Sequence, residues 1–287
     1  MYIISNKELK KLQDKNLELL IYFKKFCENY NIDFYLSGGS CLGAVRHNGF
    51  IPWDDDIDLL MKRDDYERLE ILWNTYADTS RYSCVRPNDK IANGNKYITI
   101  HDNRTTFIQK GREMFDANQG IALEILPIDG YPNKKYQRSL QIFWALIYSL
   151  YANKLPYKKY GKIVEIICNT LLKLVSNRST QYKIFRFAEK QMSKYKILDC
   201  EHLAVLCTFK NISHKYSKKM FDNPIYIQFE GVSMPIPREY DTYLRMLYGD
   251  YMKLPPLEER CHKHECVYLD LDTEYLKYKG IYYAQKE

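Results

Sequence analysis

The chain has 287 residues, 46% of them hydrophobic and 28% charged, which is ordinary for a globular protein and enough to bury a sizeable core. A formal charge of +7 without a basic run interleaved with aromatics argues against a nucleic-acid groove, and no Pro-, Ser- or Gly-rich stretch or internal repeat marks a linker or solenoid. The eight cysteines are scattered rather than spaced as a disulfide framework, and the first residues lack the pattern of a signal peptide, so a reduced, cytoplasmic protein is expected.

Ser5 and Glu8 have capping-box spacing, and Leu9, Leu12, Leu19, Leu20, Phe23 and Cys27 recur at helical spacing, which predicts a helix to about residue 30. Asn31 breaks it. Residues 32–36 read as a strand, which Gly38-Gly39-Ser40 ends while opening a short helix over 41–46. A loop at Asn48-Gly49 and Pro52 precedes a strand over 54–61, and Asp64 or Asp65 is placed to cap a helix to about 77. Shorter strands are predicted at 82–85, 96–101 and 121–126, the last ended by Pro127 and Asp129-Gly130. From 135 to about 196 the pattern is helical, with breaks near Pro156-Tyr157 and Ser176-Asn177. Its most apolar stretch, 140–151, falls short of the roughly twenty residues a membrane-spanning helix needs. An apolar run at 203–208, a hairpin across Glu230-Gly231, a helix over 238–248 and a tail at Pro255-Pro256 close the chain. The expected fold is α+β and a single domain. A small mixed sheet flanked by helices occupies 1–132, a helical annex 133–200, and a mixed region over 201–287 completes the site.

The most informative segment is Pro52-Trp53-Asp54-Asp55-Asp56-Ile57-Asp58. Strand alternation puts Asp54, Asp56 and Asp58 on one face and Ile57, Leu59 and Met61 on the other, with Asp55 interrupting the apolar face at the strand's start. Carboxylates this close raise one another's pKa unless a cation neutralises them, and hard oxygen ligands suit Mg²⁺ or Mn²⁺. An EF-hand is excluded, because its sixth and twelfth positions would be Leu59 and Asp65. Backbone N–H groups at Gly39 and Ser40, opening a helix, can hold a phosphate. Arg46 and His47 follow that helix; Arg46 either contacts phosphate or pairs with an aspartate. Cys261-His262-Lys263-His264-Glu265-Cys266 is spaced too tightly for a zinc finger and reads as a charged loop.

Gly39-Ser40 followed by Asp56-Ile57-Asp58 resembles the nucleotidyltransferase superfamily, whose third acid lies on a later strand. The fuller run from Leu36-Ser37-Gly38-Gly39-Ser40 through Arg46-His47-Asn48-Gly49 to Asp58 resembles the LicD family, which includes bacterial phosphocholine transferases and is related to the fukutin-related proteins. Leu123-Glu124-Ile125 resembles the family's later acidic strand, so Glu124 is the third carboxylate, with Asp129 as fallback. Phe229-Glu230-Gly231, Tyr248-Gly249-Asp250-Tyr251, Arg260 and His264 extend the likeness toward the C-terminus.

The resemblance implies a nucleotidyltransferase-like fold, a CDP-linked donor such as CDP-choline, and a hydroxyl acceptor on a glycan or glycolipid such as teichoic acid or lipopolysaccharide. Phosphocholine would be transferred and CMP released. Asp56 and Asp58 would hold the metal, with Asp54 as an auxiliary ligand. Glu124 would hold a second metal or take the proton of the attacking hydroxyl. Gly39, Ser40, Arg46, Arg260 and His264 would contact donor phosphate. A membrane-bound acceptor would bring the protein to the inner face of the membrane as a peripheral contact. The competing readings are transfer of a nucleotide from a nucleoside triphosphate, which releases pyrophosphate, and nucleotide or sugar binding without turnover.

Overall fold

The computed structural model describes residues 2–88, 96–152, 162–208 and 211–285. Helix α1 (Asn6–Asn29) opens on the Ser5–Glu8 capping box and buries Leu12, Leu19, Leu20 and Phe23. Strand β1 (Phe34–Leu36) follows, then helix α2 (Gly38–His47), which starts three residues before the expected 41. Gly38 explains the difference: at φ +48° it turns the strand directly into the helix. Strand β2 (Ile57–Lys62) passes without a loop into α3 (Arg63–Tyr76). Neither Asp64 nor Asp65 caps α3; Asp65 accepts the Asp33 amide instead.

Strands β3 (Tyr82–Val85), β4 (Ile98–Asp102), β5 (Thr106–Gln109) and β6 (Ala122–Tyr131) complete the first half. Strand β6 does not stop at Pro127. Its first half pairs β4 and its last three residues pair β7 (His202–Ala204), so Pro127, which has no N–H to give, falls where the antiparallel partner changes. The sheet runs β1-β2-β6-β4-β3, with β2 and β6 parallel and the other pairings antiparallel.

Helices α4 (Lys135–Ala152), α5 (Lys162–Leu174) and α6 (Arg178–Met192) form the annex. Asn177 caps α6 through the Thr180 amide, matching the break expected there; Pro156-Tyr157 lies outside the described residues. Buried ion pairs fasten the annex to the sheet. Arg63 grips Asp129 with two hydrogen bonds (2.7 and 2.9 Å) and Glu189 of α6 with a third (3.0 Å), and Arg86 also reaches Glu189 (3.0 Å). Asp129 is therefore a buried structural anchor, away from the role of third acid.

Past β8 (Tyr216–Ser217), the hairpin β9 (Ile225–Phe229) and β10 (Val232–Ile236) turns at Glu230-Gly231, both with positive φ. Glu230 accepts the Phe50 amide and donates its own to the Asn48 carbonyl, which ties the hairpin to the loop before the acids. Helix α7 (Tyr240–Tyr248) leads to the segment that includes the expected Pro255-Pro256 tail. It ends in strand β11 (Cys266–Asp270), paired antiparallel with β5. Among the described residues no helix is long and apolar enough to cross a membrane.

Candidate active site

Asp54, Asp55 and Asp56 lie in a loop before β2, so the alternation expected over 54–61 begins only at Ile57. Helix α1 shapes that loop. Buried Gln13 and Asn16 donate their amides to the carbonyls of Asp54 (2.9 Å) and Asp55 (3.2 Å). From the other side α2 sets Asp58: Ser40 Oγ accepts the Asp58 amide (3.0 Å), and the Ser37 amide donates to the Asp58 carbonyl (2.9 Å). Ser40 thus positions the acid, with its hydroxyl buried at the junction of α2 and β2.

The glycine turn is pressed against the carboxylates. A Cβ on Gly39 would stand 2.6 Å from Asp54 Oδ2, and one on Gly38 would stand 3.2 Å from Asp58 Oδ2. A side chain at Gly39 would therefore displace Asp54. Tyr243 of α7 buttresses the turn, its hydroxyl lying 2.9 Å from Ser37 Oγ and accepting the Gly38 amide at 3.2 Å.

Across the sheet, Asp58 and Glu124 are register partners on parallel strands, so both project from the same face. The Tyr97 hydroxyl donates to Glu124. A narrow cavity runs between these strands and β5, lined in part by Asn16, Asp56, Arg112, Gln119 and Glu124. Arg112 Nη2 is buried there without a hydrogen-bond partner. No motif in the sequence pointed to Arg112; it stands beside Glu124 only because β5 and β6 are linked by a loop that folds back over the acids.

The segment before β11 closes the cluster. Lys263 Nζ lies 2.6 Å from Asp56 Oδ2 and 3.7 Å from Asp58 Oδ2. Asp55, buried rather than at a strand edge, accepts both the His264 amide (3.1 Å) and His264 Nδ1 (3.0 Å). That bond commits Nδ1 of His264, expected as a phosphate contact, to pinning the C-terminal segment onto the acid loop. Arg46 donates to the Tyr251 carbonyl (2.7 Å) and to His47 Nε2 (3.0 Å), with no aspartate among its contacts in the described residues. Arg260 donates to the Pro255 carbonyl (2.9 Å) and lies over the Trp53 ring at 5.6 Å. Arg260 sits close enough for Arg46 to feel its charge.

The electrostatics describe a charge deficit. Burial, followed by the charge of Asp56, pushes Asp54 up to about 8 and Asp58 up to about 7. Asp56 goes the other way: burial opposes its ionisation, but the Lys263 ammonium and His264 outweigh it and hold Asp56 below the usual carboxylate range. One ammonium, aided by His264 and by Arg112 beside Glu124, thus faces four crowded carboxyls. Asp55, Asp56 and His264 also offer atoms within 4.8 Å of one another, although the first and last are engaged with each other. A carboxylate set short of positive charge is of the kind that suits a hard divalent cation, and of the expected ligands only Asp56 belongs to that three-residue group among the described residues.

A family model described as the LicD/FKTN/FKRP nucleotidyltransferase domain matches residues 31–122, a span that includes Asp54, Asp56 and Asp58 and ends just before Glu124. Lipopolysaccharide cholinephosphotransferase LicD of Haemophilus influenzae is 33% identical over 261 residues, which cover 86% of this chain and 92% of that protein. The chain belongs to the LicD family. Uncharacterized proteins of Rickettsia prowazekii and Rickettsia typhi are each 46% identical to it over 43 residues, 15% of this LicD chain.

Proposed function

We propose that this LicD-family chain is a phosphotransferase that moves phosphocholine, or a closely related phospho head group, from a CDP-linked donor such as CDP-choline to a hydroxyl of lipopolysaccharide or a similar surface glycan. The observation that carries this reading is the glycine turn packed against Asp54 and Asp58, with Glu124 in register beside Asp58 and Asp56 held by the same Lys263, in a chain whose Haemophilus relative is named a lipopolysaccharide cholinephosphotransferase. In the reaction the acceptor oxygen forms a bond to the donor's head-group phosphorus, the bond from that phosphorus to CMP breaks, and the acceptor's proton passes to a base.

Each residue has work that follows from its place. Bound Mg²⁺ or Mn²⁺, held by Asp56 and Asp58, would neutralise the donor's diphosphate and the charge gathering on the departing CMP. Gly38 and Gly39, having no side chains, let the turn pack directly against Asp58 and Asp54 and so keep those acids in place. The unpartnered Arg112 Nη2 suits a phosphate oxygen beside Glu124, and Arg46 and Arg260 supply positive charge near Trp53. Glu124, with one oxygen bonded to Tyr97, keeps the other to share a metal or to take the acceptor's proton.

Product analysis tests the reading. The protein, CDP-choline, Mg²⁺ and lipopolysaccharide lacking phosphocholine should yield CMP in step with choline on the acceptor. Appearance of nucleotide on the acceptor, with pyrophosphate released from a nucleoside triphosphate, would replace this reading with nucleotidyl transfer. Nucleotide binding without any product would leave a binding protein.

A further inference from the structure

The annex presents a face that the proposed chemistry does not use. On α4, Tyr136, Leu140 and Phe143 recur at helical spacing and are 67%, 41% and 50% exposed. Leu146, one turn further, is 41% exposed. Helix α6 lies alongside, and its Phe187, 51% exposed, meets Trp144 of α4 edge-on at 5.3 Å. Lys183 and Lys190 stand one turn either side of Phe187, both exposed. The result is an apolar strip with lysines along its edge.

Charge is concentrated here. Residues 133–200 contain fourteen lysines and arginines against three acids, a formal +11, which leaves the rest of the chain at −4 for the overall +7. The one acid in the sequences of α4 and α6 is Glu189, and it is buried in ion pairs with Arg63 and Arg86. Nothing negative on these two helices therefore offsets the exposed lysines.

Three occupants could cover such a face, and the observations favour one. A second copy would set +11 against +11. A nucleic acid would use the lysines but leave Leu140 and Leu146 unserved. An anionic lipid surface uses both halves: the aromatic and aliphatic side chains enter the boundary between headgroups and acyl chains, while lysine stems lie along it with their ammonium groups on the phosphates. We infer that the exposed α4–α6 face docks the protein on an anionic lipid surface. The inference stands on this face alone and does not depend on the donor or acceptor proposed above.

The test is co-sedimentation of the full chain with vesicles of phosphatidylcholine alone or mixed with phosphatidylglycerol, at low and high salt. Binding is expected to the mixed vesicles, to weaken as salt rises, and to be slight with phosphatidylcholine alone. Lys183→Gln/Lys190→Gln should weaken it about 25-fold, at about fivefold per lysine. Leu140→Ser/Phe143→Ser/Phe187→Ser should weaken it at least about tenfold, and because these side chains are exposed the melting temperature should hold. Failure of the unaltered protein to bind the mixed vesicles at low salt overturns the inference, and needs no variant to interpret. So does binding indifferent to salt and to both sets of substitutions. Concentration-dependent dimers that the serine variant abolishes, without vesicle binding, would assign the face to a second copy instead.

Discussion

Asp58 on β2 and Glu124 on β6 are partners in parallel register, on strands about 4.8 Å apart, with the Lys263 ammonium reaching Asp58 at 3.7 Å from the C-terminal segment. Like charges so placed are destabilising unless something positive stands between them. In the protein alone Lys263 is that group, and the cation proposed for catalysis would share its task.

Lys263 should therefore matter most when no metal is present. Lys263→Met is expected to cost about 1 kcal/mol, or about 2–4 °C of melting temperature, in chelator. Mg²⁺ should raise the variant's melting temperature more than it raises the wild type's. An unchanged or higher melting temperature in chelator would show that the ammonium does not offset the acids.

Arg112 separates binding from structure. A buried guanidinium nitrogen without a partner carries a desolvation cost that the nearby charge of Glu124 offsets only in part. Arg112→Met should leave the melting temperature unchanged or raised while lifting KM for the donor about 10- to 100-fold. A lowered melting temperature with normal KM would make Arg112 a structural residue.

Asp129 gives the converse case. Its bidentate bond to buried Arg63 links the sheet to α6, and Asp129→Ala would strand that charge. The expected loss is about 3–5 kcal/mol of stability by urea unfolding, with the folded fraction keeping its turnover. Loss of turnover at unchanged stability would restore Asp129 as a candidate third acid.

His101 sets a dependence on pH. Burial, followed by the charge of Arg112, pushes its ring down from 6.5 to about 3, and Nδ1–H donates to the Gly120 carbonyl in the neutral form. The folded state thus binds fewer protons than the unfolded one below 6.5. Its contribution is present above that pH and is lost as pH falls from 6.5 toward 3, at about 1.4 kcal/mol per unit. Urea midpoints should show a loss of about 2 kcal/mol between pH 7 and pH 5 from this group. His101→Gln, less stable at pH 7, should show a shallower slope; an equal slope would place the proton uptake elsewhere.

Short-range rules account for the elements that short-range contacts build. The Ser5–Glu8 box, the Asn177 cap and the Glu230-Gly231 turn are short-range devices, and each stands where spacing put it. Residues 54–61 show the limit. Alternation puts Asp54, Asp56 and Asp58 on one strand face, whereas only Asp58 lies on the strand and a loop held by Gln13 and Asn16 carries Asp54 and Asp56, a tertiary cause invisible in the segment itself. Pro127 reads as a strand end because its missing N–H forbids one ladder bond, and the change of partner from β4 to β7 that excuses it depends on a strand far along the chain. Lys263 and Arg112 are hidden by the same cause. Both reach the acids only through the pairing of β5 with β11 and the loop after β5, and long-range pairing leaves no periodic trace.

The central claim is that the acids at 56, 58 and 124 carry out metal-dependent release of CMP. The most direct measurement is acceptor-dependent CMP release from CDP-choline by the wild type and Asp58→Asn, each with Mg²⁺ and with chelator. The prediction is turnover in the wild type that chelator abolishes, a loss of at least about 100-fold in Asp58→Asn, and a variant melting temperature in chelator no lower than the wild type's, since a crowded charge has been removed. Turnover of Asp58→Asn within a few-fold of the wild type would contradict the claim.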